Sequence, residues 1–417
     1  MIFFYLLVSI MPLLRHSLWG AFIGDLTLNK YVGVICLFYA MFYLVAMRRN
    51  PVGFLRTPQA GWFLGFAALA MTSFLLAGSR VSLEVSPFMN YASFVLLFFV
   101  TLTLIDSQRR LRWVVLSAVG GIAFASLHLI REWQKSGMEA GYRPGWVTGD
   151  PNYFALSAII VLPLGYVMLI RRRAPRWERG FCGVSLVVTL LAFTLAGSRG
   201  GLIALFVVFG LIGWYSKRRT LILGVGAAMF AAFILVSPTS PLVRLIWPDH
   251  TDEQSTDVRL ALLKAGLRMV AANPVTGIGL GNYKDMVHKY ADPGQEVDKV
   301  AHDTYIEVAA ELGLPGIAAF VTMFYFSIGT AVRVKRRAAL TDQHFLHMVA
   351  LGLQVGLIGA MVAIIFLSAQ HVRLLWFAVI LSMCLPPLAA RRRQPRGAGT
   401  LSAPPVSVVH TERGDKR

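Results

Sequence analysis

Apolar positions in this chain neither alternate nor recur as a one-sided stripe; they run on without interruption. Twelve such runs stand at about residues 1–14, 31–47, 60–77, 87–105, 113–130, 151–170, 181–197, 201–216, 221–238, 315–332, 347–367 and 374–390. A helix needs about 20 residues to cross about 30 Å of hydrocarbon, and the internal runs reach or approach that length. A membrane barrel would alternate apolar and polar residues, so the pattern predicts helices. The expected fold is all-α, a polytopic membrane protein with about 12 transmembrane helices. No basic n-region precedes the first run and no small-residue cleavage site follows it, so it reads as a span rather than a signal peptide.

Between the ninth and tenth runs lies residues 239–314, a long polar segment with helical signals of its own. Asp257 can cap a helix reaching about Ala272, with Leu260, Leu263, Leu267 and Val270 at helical spacing, and Asn273-Pro274 ends it. Gly277-Ile278-Gly279-Leu280-Gly281 reads as a tight turn. A second helix is expected over about 302–312, stopping at Gly313, before Pro315 opens the tenth span. The chain thus divides into spans one to nine (1–238), the loop (239–314), spans ten to twelve (315–390) and a basic tail (391–417) whose Arg, Pro, Gly and Ser content predicts disorder.

Composition agrees with this picture. Of 417 residues, 56% are apolar and 15% charged, which excludes a soluble enzyme, a fibre or a disordered chain. The net charge of +19 suggests nucleic acid only until the charges are placed. Every second loop and the tail together hold 25 of the 40 basic residues against five acids, so the whole excess lies on one side. The positive-inside rule makes that side cytoplasmic, with both termini there and the long loop outside. Cys36, Cys182 and Cys384 fall within apolar runs, which supports neither a disulfide framework nor a zinc cluster.

The spans carry few ionisable groups, His128 being the clearest exception, whereas a coupled transporter keeps such groups at membrane depth. The notable charges gather at the outer rim. Arg199, in Ser198-Arg199-Gly200-Gly201, sits in a hairpin whose glycines allow close approach; the same position suits a snorkelling arginine at a helix end. Arg80 ends a similar Leu76-Ala77-Gly78-Ser79-Arg80. Arg259 lies on the loop helix, where simple solvation is the alternative. His302 opens the second loop helix, where the dipole disfavours imidazolium and leaves the ring available as a base; a lone histidine is also a common structural residue. Asp303 and Glu307 follow it, Tyr283 follows the glycine turn, and Asp150 and Asn152 open the sixth span, where capping is the simpler role. No HExxH pattern, and no Cys or second His at ligand spacing, supports a metal, and no cofactor is expected.

In order along the chain, four features resemble the O-antigen ligase and polymerase family of membrane glycosyltransferases. They are Asp150-Pro151-Asn152-Tyr153; Gly197-Ser198-Arg199-Gly200; Arg259 followed by Asn273-Pro274-Val275-Thr276-Gly277-Ile278-Gly279-Leu280-Gly281-Asn282-Tyr283; and His302-Asp303-Thr304-Tyr305-Ile306-Glu307 leading to Glu311-Leu312-Gly313-Leu314-Pro315-Gly316. The likeness covers about residues 143–320, and departs at Asp303, where many relatives have Asn. It implies glycan transfer from undecaprenyl diphosphate, on the periplasmic face of a Gram-negative inner membrane, without metal, nucleotide sugar or nucleic acid. It also implies that Arg199, Arg259 and His302 are essential. Lipid A–core is the acceptor expected of a ligase, and the single dominant outer loop favours that over a polymerase, which would extend a lipid-linked repeat. A protein O-oligosaccharyltransferase shares the chemistry. A transporter or flippase is the competing class, but a major-facilitator layout would put its longest loop inside, between spans six and seven.

Overall fold

The structure, a computed structural model, describes residues 1–13, 28–46, 57–77, 85–137, 142–145, 150–236, 253–292 and 299–390. Arg80, residues 237–252 of the long loop and the tail 391–417 lie outside them. The described residues are helical, with no strand among them: α1 Ile2–Ile10, α2 Leu28–Ala46, α3 Pro58–Leu76, α4 Val85–Leu104, α5 Gln108–Lys135, α6 Pro151–Ile170, α7 Arg176–Ala196, α8 Arg199–Tyr215, α9 Arg219–Val236, α10 Glu253–Ala272, α11 Tyr283–Tyr290, α12 Thr304–Leu340, α13 His344–Ala363 and α14 Arg373–Ala390. Among the described residues nine helices are long and apolar enough to cross a membrane, and α8 and α9 supply shorter apolar ones. The protein is a multi-pass membrane protein. α1, the first predicted span, is helical for nine residues, less than half of the ~20 that a crossing needs.

Contacts between distant residues sort the described turns into two ends of the bundle. The arginine-rich turns at 108–112, 171–175 and 337–345 share one end; the starts of α6 and α8 are tied together away from it, as are the start of α12 and the turn before α14. α6 and α13 are central. Cβ atoms added to Gly352 and Gly356 of α13 would stand 3.0 Å from the Pro163 carbonyl oxygen and 2.7 Å from that of Ile160 on α6. Without a hydrophobic force between helices in lipid, such small residues gain contact by letting backbones approach. Beside this pair, Trp376 of α14 lies 5.4 Å from both Phe66 and Phe94, 5.9 Å from Phe63 and 6.1 Å from Phe320, joining α3, α4 and α12 around one buried indole. Its Nε1 donates to the Gln370 carbonyl at 2.8 Å, so burying the ring leaves no orphan donor.

The expected stop at Gly313 is present: the helix from Thr304 breaks at this residue, whose φ of 70° and ψ of −173° are non-helical, and a second helix carries on to Leu340, the two together making the kinked α12. The break opens backbone groups that the glycine turn satisfies: Ile278 N donates to the Ala310 carbonyl at 2.9 Å, Gly279 N to that of Glu311 at 3.0 Å, and Leu314 N to that of Pro274 at 2.7 Å. The turn foreseen at 277–281 therefore docks on the bend that the same region needs. A side chain at Gly313 would combine left-handed strain with a Cβ 2.6 Å from the Val275 carbonyl oxygen. Gly313→Ala should destabilise the fold by about 1–3 kcal/mol, seen as a lower melting temperature in detergent. An unchanged melting temperature would show that the bend does not depend on this glycine.

Candidate active site

Four segments meet at the end of the bundle opposite the arginine-rich turns. Asp150 caps α6, its Oδ1 accepting from Asn152 N at 2.6 Å, with Pro151 in the first turn as the sequence suggests. Gly197 ends α7 in the left-handed conformation, and Ser198 caps α8, its Oγ accepting from Gly201 N at 3.1 Å. Ser198 Oγ also donates to Asn152 Oδ1 at 2.8 Å, tying the two helix starts together. Arg199 is therefore the first residue of α8, its side chain exposed at the rim. The glycines after it serve packing: a Cβ on Gly200 would fall 2.4 Å from Phe366 Cβ, and one on Gly201 2.8 Å from Ala155 Cβ.

Phe366 belongs to the 3-10 turn Ile364–Phe366 that follows α13, and this same segment holds the histidine. His302 N donates to Ser368 Oγ at 2.9 Å, Thr304 Oγ1 donates to the Leu367 carbonyl, and Ala369 N donates to Thr304 Oγ1 at 2.9 Å. Thus pinned, His302 adopts φ 52°, a left-handed conformation uncommon outside glycine. It lies before α12 rather than within its first turn. Asp303 is the cap, Oδ1 accepting from Tyr305 N at 2.8 Å and Ile306 N at 3.1 Å.

Arg259, exposed on α10, completes the group. Its pKa is lowered by burial of its surroundings and then by Arg199, with Asp150 opposing. His302 is lowered below the usual imidazole value by burial first, then by Arg259, again with Asp150 opposing. Arg259 thus lies within electrostatic reach of Arg199, Asp150 and His302, and Asp150 within reach of both Arg259 and His302. Partial burial beside a guanidinium favours the uncharged imidazole, in the direction expected from a helix dipole.

Arg143 was not singled out by the sequence. Its Nε donates to the Ala196 carbonyl at 3.3 Å and its Nη2 to Asn152 Oδ1 at 3.4 Å. Burial lowers its pKa most, Asp150 opposes, and Arg199 and Arg259 add to the lowering, so it belongs to the same cluster. The loop bearing it is held by Glu132, which accepts from Tyr142 OH at 2.7 Å and Gly145 N at 3.2 Å. The only sequence signal was its position at the start of the family-like tract, seven residues before Asp150.

Other candidates brace the site. Tyr283 is buried, its hydroxyl donating to the Leu262 carbonyl at 2.6 Å and its N–H to Glu311 Oε1 at 3.2 Å, which locks α10 and α11 onto α12. Glu311 also accepts from Gln370 Nε2 at 2.7 Å, and Gln370 Oε1 accepts from Tyr91 OH at 3.2 Å. Glu307, 2% exposed, lies in the same buried network and turns no face to the rim. Among the described residues no group of His, Cys, Asp or Glu could hold a metal ion.

Three guanidinium groups and one carboxylate leave an excess of fixed positive charge beside an imidazole whose pKa is lowered. Arginine remains protonated even when shifted, and its planar fork suits phosphate oxygens. Residues 184–321 match the family model described as O-antigen ligase, a stretch that contains Arg199, Arg259 and His302. No curated protein matches the chain.

Asp150 stabilises the imidazolium form of His302, so removing its charge should lower that pKa further. Asp150→Asn keeps the helix cap. The acid limb of the pH–rate profile should therefore move to lower pH; a shift upward, or none, would separate the two groups.

Proposed function

We propose that this chain, of which residues 184–321 match the O-antigen ligase family model, is the ligase of that family. It transfers a finished glycan from undecaprenyl diphosphate to lipid A–core at the periplasmic face of a Gram-negative inner membrane, with both termini cytoplasmic. The observation that carries this reading is the arginine cluster around an uncharged histidine, whose members Arg199, Arg259 and His302 fall inside the family match.

In this reading Arg199 and Arg259 grip the diphosphate, and Arg143 supports them from the loop before α6. The acceptor hydroxyl oxygen attacks the anomeric carbon as the bond from that carbon to the phosphate oxygen breaks. The electron pair departs on undecaprenyl diphosphate, and the hydroxyl proton passes to His302. One displacement inverts the anomeric centre. General-base help contributes about 10²–10⁴ in rate. Each fixed cation aimed at the developing charge contributes up to about 3 kcal/mol. The diphosphate linkage already stores the driving energy, so neither nucleotide sugar nor metal enters the step. A polymerase or a protein O-oligosaccharyltransferase would break the same bond; the single dominant outer loop favours the ligase.

Reconstitution with lipid-linked glycan and three separate acceptors, purified lipid A–core, unextended lipid-linked repeat and candidate protein, tests the proposal. Label should appear on lipid A–core alone; label on another acceptor reassigns the subclass. In the same assay His302→Ala should lose roughly 10²–10⁴ of the rate. Arg199→Lys, which keeps the charge but not the fork, should also be impaired, and Arg143→Ala should fall by roughly 10²-fold if its cation faces the leaving group. Near-normal turnover of His302→Ala would remove the base.

A further inference from the structure

At the arginine-rich end of the bundle, α5, α12, α13, α14 and the turn between α6 and α7 enclose a cavity of about 910 Å³. Its lining includes Arg112, Arg171, Arg172, Arg173 and Arg337, with Asp342 the one carboxylate in it. Positive-inside topology explains basic residues in these loops, but it requires neither a cavity nor a buried arginine. Arg171 is only 8% exposed. Its Nη2 lies 2.7 Å from Glu178 Oε1, its guanidinium carbon stands 5.3 Å from the Phe345 ring centre, and its Nε is buried without a hydrogen-bond partner among the described residues. Glu178 is fully buried and also accepts from Arg112 Nε at 2.8 Å, so one carboxylate answers two of the five arginines. A buried donor left unmatched, beside fixed excess charge in a space of ligand size, calls for an anion with several acceptor oxygens.

The depth of the cavity points to the source of that anion. Trp113 and Trp177, both exposed, stack with ring centres 5.9 Å apart, and Arg112 stands 6.0 and 5.8 Å from them. Exposed indoles of this kind sit at the level of lipid headgroups. Arg112 thus spans from the aromatic belt into the cavity, and basic pockets between membrane helices suit phosphorylated headgroups.

We propose that this cavity binds the headgroup of an anionic phospholipid carrying two phosphates, of the cardiolipin type. The site is separate from the transfer site, and its test reads binding alone. The full chain in neutral detergent is titrated with cardiolipin and followed by native mass spectrometry. The Arg172→Gln/Arg173→Gln variant changes two exposed side chains and should bind cardiolipin at least tenfold more weakly. Arg218→Gln/Arg219→Gln removes the same charge from the neighbouring exposed turn, outside the cavity, and should bind as the unaltered chain does. Equal loss in both variants, or no loss in the first, would overturn the site in favour of diffuse surface attraction. Phosphatidylglycerol, with one phosphate, should bind more weakly; equal binding would overturn the two-phosphate assignment. Inorganic pyrophosphate should not displace cardiolipin at equal concentration, and displacement would assign the cavity to a soluble polyphosphate.

Discussion

Like charges held together at the edge of a low-dielectric bundle repel one another, and the candidate site is built around that cost. Arg143, Arg199 and Arg259 each come from a different segment, and Asp150 is the carboxylate that opposes the lowering at Arg143, Arg259 and His302. Nothing local would keep three guanidinium groups near one another. What does so is hydrogen-bond anchoring: the Ala196 carbonyl and the Asn152 side chain on Arg143, the Ser198 side chain on the start of α8, and the glycine turn and α12 beneath α10. Preorganised cations of this kind need no rearrangement when negative charge develops, which is the property a diphosphate leaving group demands.

The bundle itself was largely legible in hydropathy, and its departures have physical reasons. The sixth span matches α6 residue for residue because Asp150-Pro151 and the arginines after Ile170 mark both limits. The fifth span was read as 113–130, yet α5 runs from Gln108 to Lys135. Hydropathy sees the part that suits hydrocarbon, while backbone hydrogen bonds continue through charged turns at either end. The same effect extends α12 to Leu340. At its other end, Gly313 and Pro315 mark the boundary that the sequence suggests: two helices meet at a non-helical residue, and carbonyls beside it accept from the 277–281 turn. Helix α11 was missed because eight residues with buried Tyr283 and Val287 carry too little periodicity to read.

The candidate site was legible in part. Capping by Asp150 and exposure of Arg199 at a hairpin follow from local rules. The sequence pointed to a helix dipole as what lowers the His302 pKa; burial first and Arg259 second do so in the structure, and both are long-range features that no spacing encodes. Arg143 was invisible for the same reason: its company is set by Asn152 and Ala196, and the chain around it resembles any basic loop. Tyr283 and Glu307 carry the opposite lesson. Both are turned inward here: Tyr283 braces α10, α11 and α12 with its polar atoms, and Glu307 is buried beside Glu311.

The two ends of the bundle use arginine differently. At one, exposed Arg199 and Arg259 and half-buried Arg143 gather beside His302; at the other, a buried arginine shares Glu178 with Arg112. The backbone of His302 has a further consequence. Its left-handed conformation is held by Ser368, and the adjoining Thr304 by Leu367 and Ala369, more than sixty residues away. A chimera that grafts the outer loop of one relative onto the helices of another would separate these partners and release the histidine into ordinary conformations. Exchange of specificity between such proteins therefore has to move residues 364–370 together with the loop, as a single inherited cassette.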